Sequence, residues 1–259
     1  MPDTRRVVNN VSSVFIIARR KDPGDIFIEV KDDGYPMAFF RRQLCLIGGN
    51  WIGDSAKGDQ NPMDTAKREL SEEMSFDRPI RSAVELAQLG MADASQKFAP
   101  TPIEDVKPTD ADVLNLAHLK EAVQRQCTPF GMFVNTCPKS LLDGADPSNK
   151  RDGFSGIACY WVSLLKEDQW AMLCALQDKF HNLSNESVTI VTSVDALVDR
   201  EMRVAFGHDQ PLQRFFLAMG IPRAKEMRIV REITSELVGT SPASYADLLE
   251  QYDILKKPV

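Results

Sequence analysis

The chain has 259 residues, of which 43% are hydrophobic and 26% are charged, so it is long enough for one elaborated domain or two small ones. This composition excludes a disordered chain, a collagen and a coiled coil. The 31 basic and 37 acidic side chains give a formal net charge of -6, which argues against a diffuse cationic surface for nucleic acid or anionic lipid. A local basic pocket for a phosphorylated small molecule stays open.

The cysteines and the first residues predict the compartment. The five cysteines are odd in number and never form a C-x-x-C pair, which is typical of reduced thiols and not of a disulfide framework or a zinc site. The early apolar run, residues 14–18, is too short for a signal peptide, and no run approaches the roughly 18 apolar residues of a spanning helix. We therefore expect a cytoplasmic protein with no membrane partner.

The N-terminal part reads as strands that lead into a loop. Residues 12–19 and 25–31 are β-rich and flank the turn sequence of residues 21–24, which predicts a β-hairpin. The apolar run 43–47 predicts a further strand that ends in a loop at the pair Gly48-Gly49. Because these glycines lack side chains, their backbone can approach a ligand closely.

A capped helix is predicted from residue 62 to residue 74. Asn61 is a suitable N-cap, and Pro62 suits the first helical position because its missing N–H would have no partner there. Ala66, Leu70 and Met74 follow at four-residue spacing, so this face is expected to pack inward.

The rest of the chain begins as mixed α/β and is predicted to end all-helical. The ranges are a loop or insertion at 94–112, helices at 113–126, 167–180 and 194–202, strands at 130–136, 157–164 and 187–192, a loop at 138–156, and helices at 212–219, 224–238 and 244–255. We expect a domain over residues 1–202 and a helical extension over 203–259, which packs on the domain or builds a homodimer or substrate surface.

Three glutamates of the predicted helix can carry chemistry. Glu69, Glu72 and Glu73 stand at i, i+3 and i+4, so they project from one sector and repel each other. A divalent cation relieves this repulsion, and carboxylate oxygens favour Mg²⁺ or Mn²⁺. The fork of donors on Arg68 can orient one of the carboxylates. The alternative is a solvated, salt-bridged helix face, because short acidic motifs occur by chance.

The stretch from Gly48-Gly49 through Arg68-Glu69-Leu70-Ser71-Glu72-Glu73 to Phe76 resembles the Nudix box, G-x5-E-x7-R-E-U-x-E-E-x-G-U. The resemblance covers residues 48–76. It implies an α/β/α sandwich with a mixed sheet that hydrolyses a nucleoside diphosphate linked to another group, using Mg²⁺ or Mn²⁺ to activate a water.

Carried over by position, the resemblance assigns metal binding and catalysis to Glu69, Glu72 and Glu73, and their orientation to Arg68. The backbone of Gly48 and Gly49 is expected near the substrate phosphates.

Arg41 and Arg42 are further candidates for substrate binding. They follow Phe39-Phe40, and aromatic faces with guanidinium groups suit a nucleotide. An amphipathic edge strand with outward arginines is the alternative.

The box departs from the family pattern at three places. Its first glutamate falls on Gln60 with Asp59 beside it, its first glycine falls on Asp54, and its late glycine is Ser75. A positive φ at Ser75 would cost on the order of 1 kcal/mol. The loop side of the site is thus altered, whereas the helix side is intact.

Three isolated residues have two interpretations each. Trp51 is a stacking platform or a hydrophobic plug, Cys45 is a core residue in preference to a nucleophile, and His208 is a core histidine or faces a pocket.

The sequence leaves the function open between three classes. A hydrolase is favoured, a nucleotide-binding or regulatory module without turnover is the first alternative, and an α/β scaffold with an acidic surface helix is the second. The substrate is a nucleotide-derived small molecule, such as a nucleotide sugar, a dinucleoside polyphosphate, a nucleoside triphosphate or a dinucleotide cofactor. Nucleic acid is not expected as a partner, a capped RNA end excepted.

Overall fold

The computed structural model describes residues 5–31, 35, 37–52, 59–76, 107–145, 153–184, 187–240 and 244–255. The strands in these ranges are β1 (Arg6–Val8), β2 (Asn10–Arg19), β3 (Asp25–Val30), β4 (Leu44–Cys45), β5 (Ile47–Asn50), β6 (Cys127–Cys137), β7 (Phe154–Leu165), β8 (Val188–Ser193), β9 (Thr234–Gly239) and β10 (Tyr252–Ile254). The α-helices are α1 (Pro62–Glu73), α2 (Asp110–Gln126), α3 (Lys139–Ala145), α4 (Glu167–Phe180), α5 (Val194–Asp199), α6 (Asp209–Ala218) and α7 (Tyr245–Gln251).

A mixed eight-stranded sheet organises the molecule. Its strand order is β4-β3-β2-β7-β6-β9, and β5 also pairs with β2 while β8 pairs with β3. Strand β2 runs parallel to β7 but antiparallel to β3 and β5. The predicted hairpin is present, because Ile17 of β2 pairs with Phe27 of β3.

Helices cover both faces of this sheet. Along β2, Val14 and Ile16 point to one face whereas Phe15 and Ile17 point to the other, as the two-residue period of a strand requires. Helices α1, α2 and α4 pack on the face of Phe15, and α5 and α6 pack on the opposite face. The predicted α/β/α arrangement with a mixed sheet is confirmed.

Helix α1 begins and packs as its sequence predicts. The side chain of Asn61 accepts a hydrogen bond from the backbone N–H of Asp64 at 3.0 Å, and Pro62 occupies the first turn. Ala66 and Leu70 are fully buried in the core beneath the sheet. The face of Ala66 and Leu70 therefore fixes the helix on the sheet, and the carboxylates project from other positions of the helix.

The predicted loop at Gly48-Gly49 is wrong, because both glycines belong to β5. Gly48 has a φ of +139°, and a Cβ built there would lie 2.2 Å from the Ser13 carbonyl oxygen. Its lack of a side chain thus serves close strand pairing. The loop predicted at 138–156 contains α3, and most of the loop predicted at 94–112 lies outside the described residues.

The predicted all-helical C-terminus is also wrong. Within the predicted helix 224–238, a 3-10 helix (Pro222–Glu226) is followed by β9, which pairs antiparallel with β6. Ile233 and Ser235 are buried and Thr234 is exposed, so the burial has the period of a strand. The free edge of β6 overrides the helical pattern here because it supplies hydrogen-bond partners. The boundary at 202/203 stays a prediction.

The last strand joins the two ends of the described chain. After α7, β10 pairs in parallel with β1, and Tyr252 lies opposite Arg6. In the described part of the chain, no helix is long and apolar enough to cross a membrane.

We predict that Leu70→Ala lowers the free energy of unfolding by about 2–5 kcal/mol, because a fully buried leucine leaves a cavity between α1 and the sheet. Leu114→Ala on the exposed face of α2 is the matched control, with an expected change within about 0.5 kcal/mol. Urea denaturation measures both, and equal losses in the two variants would contradict this packing.

Candidate active site

A cleft of about 910 Å³ opens on one face of the sheet. Its floor crosses four strands in register: Ser12 of β2 lies opposite Asn50 of β5 and Ala158 of β7, and Gly156 of β7 lies opposite Asn135 of β6. Small side chains keep this floor open. Three strand spacings separate β5 from β6, which makes the floor about 14 Å wide.

Two of the three box glutamates line the cleft. Glu69 and Glu73 lie on its wall, whereas the Glu72 side chain is 44% exposed and does not line it. Gly49 makes room for Glu69, because a Cβ built on Gly49 would lie 2.4 Å from the Glu69 carboxyl carbon. The backbone N–H of Gly48 donates to Oε2 of Glu73 at 2.8 Å. Gly49 therefore leaves space for the Glu69 carboxylate, and the N–H of Gly48 binds the Glu73 carboxylate.

Arg68 connects the carboxylates of the box. Its Nη1 donates to Glu69 at 2.7 Å and to Glu72 at 3.0 Å, and its Nη2 donates to the Asn50 carbonyl at 3.1 Å. Asp59 forms a further ion pair with it at 3.1 Å. Burial disfavours the charged guanidinium, but Glu69 and Asp59 outweigh this effect and raise its pKa.

The loop carboxylate of the box stands at residue 59. Asp59 is buried and accepts hydrogen bonds from Arg68 and from the Thr65 hydroxyl at 2.9 Å. Gln60, where the family pattern places its glutamate, contributes its backbone N–H to Asp64 at 3.0 Å. The altered loop thus keeps a carboxylate on Arg68, shifted by one residue. Asp54 lies outside the described residues.

The expected strain at Ser75 does not arise. Helix α1 ends at Glu73, and Met74 closes it with a φ of -81° and an N–H bond to the Leu70 carbonyl. Ser75 does not have a positive φ. Serine therefore stands at the position of the motif's late glycine without the predicted cost.

A buried charge cluster that the sequence did not reveal adjoins Glu73. Glu29 is fully buried on β3, and Lys31 lies 3.3 Å from its Oε2. Burial raises the pKa of Glu73 and the charge of Glu29 raises it further, whereas Lys31 and the Gly48 N–H act in the opposite direction. Sequence reasoning missed Glu29 and Lys31 because they belong to the hairpin and to no motif.

The three carboxylates of α1, in the positions they have here, fit a hard divalent cation only in part. Among the described residues, no three carboxylate, imidazole or thiol groups converge as a coordination site. Arg68 explains this, because its Nη1 binds Glu69 and Glu72 together. Glu69 and Glu73 on the cleft wall supply the oxygen ligands that Mg²⁺ and Mn²⁺ prefer, and a cation there would offset the repulsion that raises the pKa of Glu73.

The other sequence candidates divide into cleft and non-cleft residues. Arg41 and Arg42 are exposed and do not line the cleft, and Arg41 donates to the Tyr35 carbonyl at 2.8 Å. The segment before them is a 3-10 helix (Ala38–Phe40), so an edge strand is wrong. Cys45 lines the cleft, but burial raises the pKa of its thiol to about 12, which disfavours a nucleophilic thiolate.

The C-terminal helix reaches the box through Tyr245, a residue that sequence reasoning missed. Its hydroxyl lies 2.5 Å from the Thr65 hydroxyl, and its backbone N–H donates to the Gln60 carbonyl at 3.1 Å. The Tyr245 ring stacks on Trp51 at 4.2 Å between ring centroids. Trp51 therefore acts as a hydrophobic plug between the loop and α7.

Comparison with known proteins gives similarity to solved structures alone. No protein-family model matches this chain, and no curated protein matches it in sequence. The chain is similar to a solved MutT/Nudix family protein from Listeria innocua, with 16% identity over 83% of this chain and 96% of that chain, at a TM-score of 0.42. The interpretation of the site therefore depends on its own geometry.

We predict that Tyr245→Phe lowers the free energy of unfolding by about 0.5–1.5 kcal/mol, because it removes the buried hydrogen bond to Thr65 and keeps the ring on Trp51. Tyr252→Phe is the matched control, since β10 leaves that side chain half-exposed. Denaturant titration compares the variants, and an unchanged Tyr245→Phe midpoint would show that the hydroxyl contact does not stabilise the site.

A second prediction concerns acid stability. His208 is 4% exposed, and burial, followed by the charge of Lys31, lowers its pKa to about 3. The unfolded chain takes up this proton near pH 6.5 and the folded chain does not, so His208 destabilises the fold as pH falls. Between about pH 6 and pH 4 the wild type should lose about 1.4 kcal/mol more per pH unit than His208→Gln. Parallel pH profiles of unfolding would contradict a neutral buried imidazole.

Proposed function

We propose that this protein is a divalent-metal-dependent hydrolase that cleaves the pyrophosphate bond of a nucleoside diphosphate linked to another group. The observation that carries the proposal is the placement of Glu69 and Glu73 on the wall of a cleft of about 910 Å³, against the glycine pair of β5. The box sequence, read with this geometry, supports metal-assisted phosphate chemistry in preference to a solvated surface helix.

Glu69 and Glu73 would hold Mg²⁺ or Mn²⁺, and Glu72 would join them when its ion pair with Arg68 opens. The bound cation would polarise a phosphoryl oxygen and lower the pKa of the attacking water. That opening leaves Arg68 bound to Glu69 and Asp59, and it releases a Glu72 side chain that is already 44% exposed to water.

The chain itself provides positioning. The Gly48 N–H fixes the Glu73 carboxylate, whose pKa is raised by burial in the absence of a cation. Lys31 lines the same cleft and supplies positive charge beside the carboxylates. Arg68 holds Glu69 in place through its bond at 2.7 Å.

A nucleotide-binding module without turnover is the second candidate. The bonds from Arg68 to both Glu69 and Glu72 favour it, because they neutralise the carboxylates without a metal. The two candidates share the cleft and differ in whether a cation displaces the guanidinium from Glu72.

A turnover assay tests the proposal. Product release from a panel of nucleotide sugars, dinucleoside polyphosphates, dinucleotide cofactors, nucleoside triphosphates and capped RNA is measured with Mg²⁺ or Mn²⁺. We expect turnover of at least one class by the wild type, and a loss of about 10²-fold or more in kcat for Glu69→Gln and for Glu73→Gln, as for removal of an electrostatic stabiliser.

The matched control is Glu121→Gln, an exposed glutamate of α2 whose partner is Arg125. It should retain wild-type kcat and KM. Absence of turnover on every class by folded wild type, with nucleotides still raising its melting temperature, would move the assignment to the binding module.

A further inference from the structure

A set of aromatic and polar residues lines the cleft apart from the glutamates, and the proposed chemistry does not use it. We name Phe154, Phe206 and His208 the aromatic wall; all three line the cleft, as does Asn135 on the floor. Resting on the proposed function, we propose that the aromatic wall binds the base of the nucleoside diphosphate as a planar, uncharged heteroaromatic ring.

Charge in the cleft argues for an uncharged group at this wall. Among the described residues that line the cleft, Lys31 is the only lysine or arginine, and it is already paired with Glu29. The remaining polar lining consists of amides, two hydroxyls, a thiol and the neutral imidazole of His208 beside the two glutamates. A substrate with further phosphates beyond the pyrophosphate would find too little positive charge here.

Phe206 is held in place as a platform. Its φ of +61° is rare for an aromatic residue, and it is followed by Gly207, where a Cβ would lie 2.9 Å from Ile233. Phe40 supports the Phe206 ring from the core at 4.4 Å between centroids. A side chain kept in a sparsely populated backbone conformation, with one side on a cleft, is a reason to infer a binding role.

His208 and Asn135 supply the edge contacts that a base requires. Nδ1 of His208 is buried without a hydrogen-bond partner among the described residues, although the ring lines the cleft. The neutral imidazole has one donor and one acceptor nitrogen. Asn135 is fixed by bonds to the Tyr160 and Ser235 hydroxyls, and its NH₂ group retains a second hydrogen for a ligand.

The size of the cleft agrees with this occupant. The floor of about 14 Å between β5 and β6 leaves space for a nucleoside beside the pyrophosphate that the glutamates would bind with metal. The proposed site thus restricts the substrates to nucleoside diphosphate derivatives whose base contacts the aromatic wall.

Binding without metal tests the base site independently of turnover. Dissociation constants of ADP, GDP, CDP and UDP are measured in EDTA, that of inorganic pyrophosphate is measured with Mg²⁺, and saturation-transfer NMR records the base protons. Phe206→Leu should weaken the nucleotide that binds best by about ten-fold and leave pyrophosphate unchanged, because stacking on a base is lost. Phe206→Tyr should restore binding.

Phe130→Leu is the matched control, since Phe130 is a half-buried phenylalanine in aromatic contact with Phe133 and does not line the cleft. It should bind like the wild type. If Phe206→Leu does not fold, His208→Gln takes its place, with weaker nucleotide binding and unchanged pyrophosphate binding expected.

Two results would overturn the base site: no saturation of base protons in the wild type, or equal weakening of nucleotide and pyrophosphate in the aromatic-wall variant. Base-dependent binding with no metal-dependent turnover would instead support the base site and contradict the proposed hydrolase activity. Turnover with equal KM values for Phe206→Leu and Phe130→Leu would support the hydrolase activity and contradict the base site.

Discussion

The ion pairs of one guanidinium hold this site together. Arg68 binds a loop carboxylate at Asp59, the helix carboxylates Glu69 and Glu72, and the backbone of β5 at Asn50. Its side chain is only 13% exposed, so these contacts are screened less by water than surface ion pairs. Because loop, helix and strand meet at this side chain, the position of the cleft wall depends on it.

The C-terminal residues complete the same arrangement. Strand β10 pairs with β1, and α7 places Tyr245 against Thr65, whose hydroxyl also binds Asp59. A path of hydrogen bonds thus runs from α7 to Arg68 through two side chains. The C-terminal segment contributes β9 to the sheet as well, so it is part of the fold that supports the cleft.

The correct predictions from the sequence rest mostly on patterns within single helices and strands. The cap at Asn61 and the four-residue spacing of Ala66 and Leu70 are encoded within one helix, and the structure has that helix at Pro62–Glu73. Strand β9 was missed because its pairing with β6 is a contact between residues a hundred positions apart, which periodicity does not record. Phe154, Phe206 and the Glu29–Lys31 pair were missed for the same reason, because only the fold brings the two rings to the cleft and the ion pair close to Glu73. His208 is the member of the aromatic wall that the sequence singled out.

The glutamates of α1 are proposed to bind a divalent cation. Electron paramagnetic resonance of Mn²⁺, titrated into wild type and Glu69→Gln without substrate, tests this binding most directly. We predict bound Mn²⁺ in the wild type, displaced by excess Mg²⁺, and weaker binding by about ten-fold or more in Glu69→Gln, because one of two cleft carboxylates is lost. Free Mn²⁺ alone in the wild type, or equal binding by both proteins, would contradict a metal site at these residues.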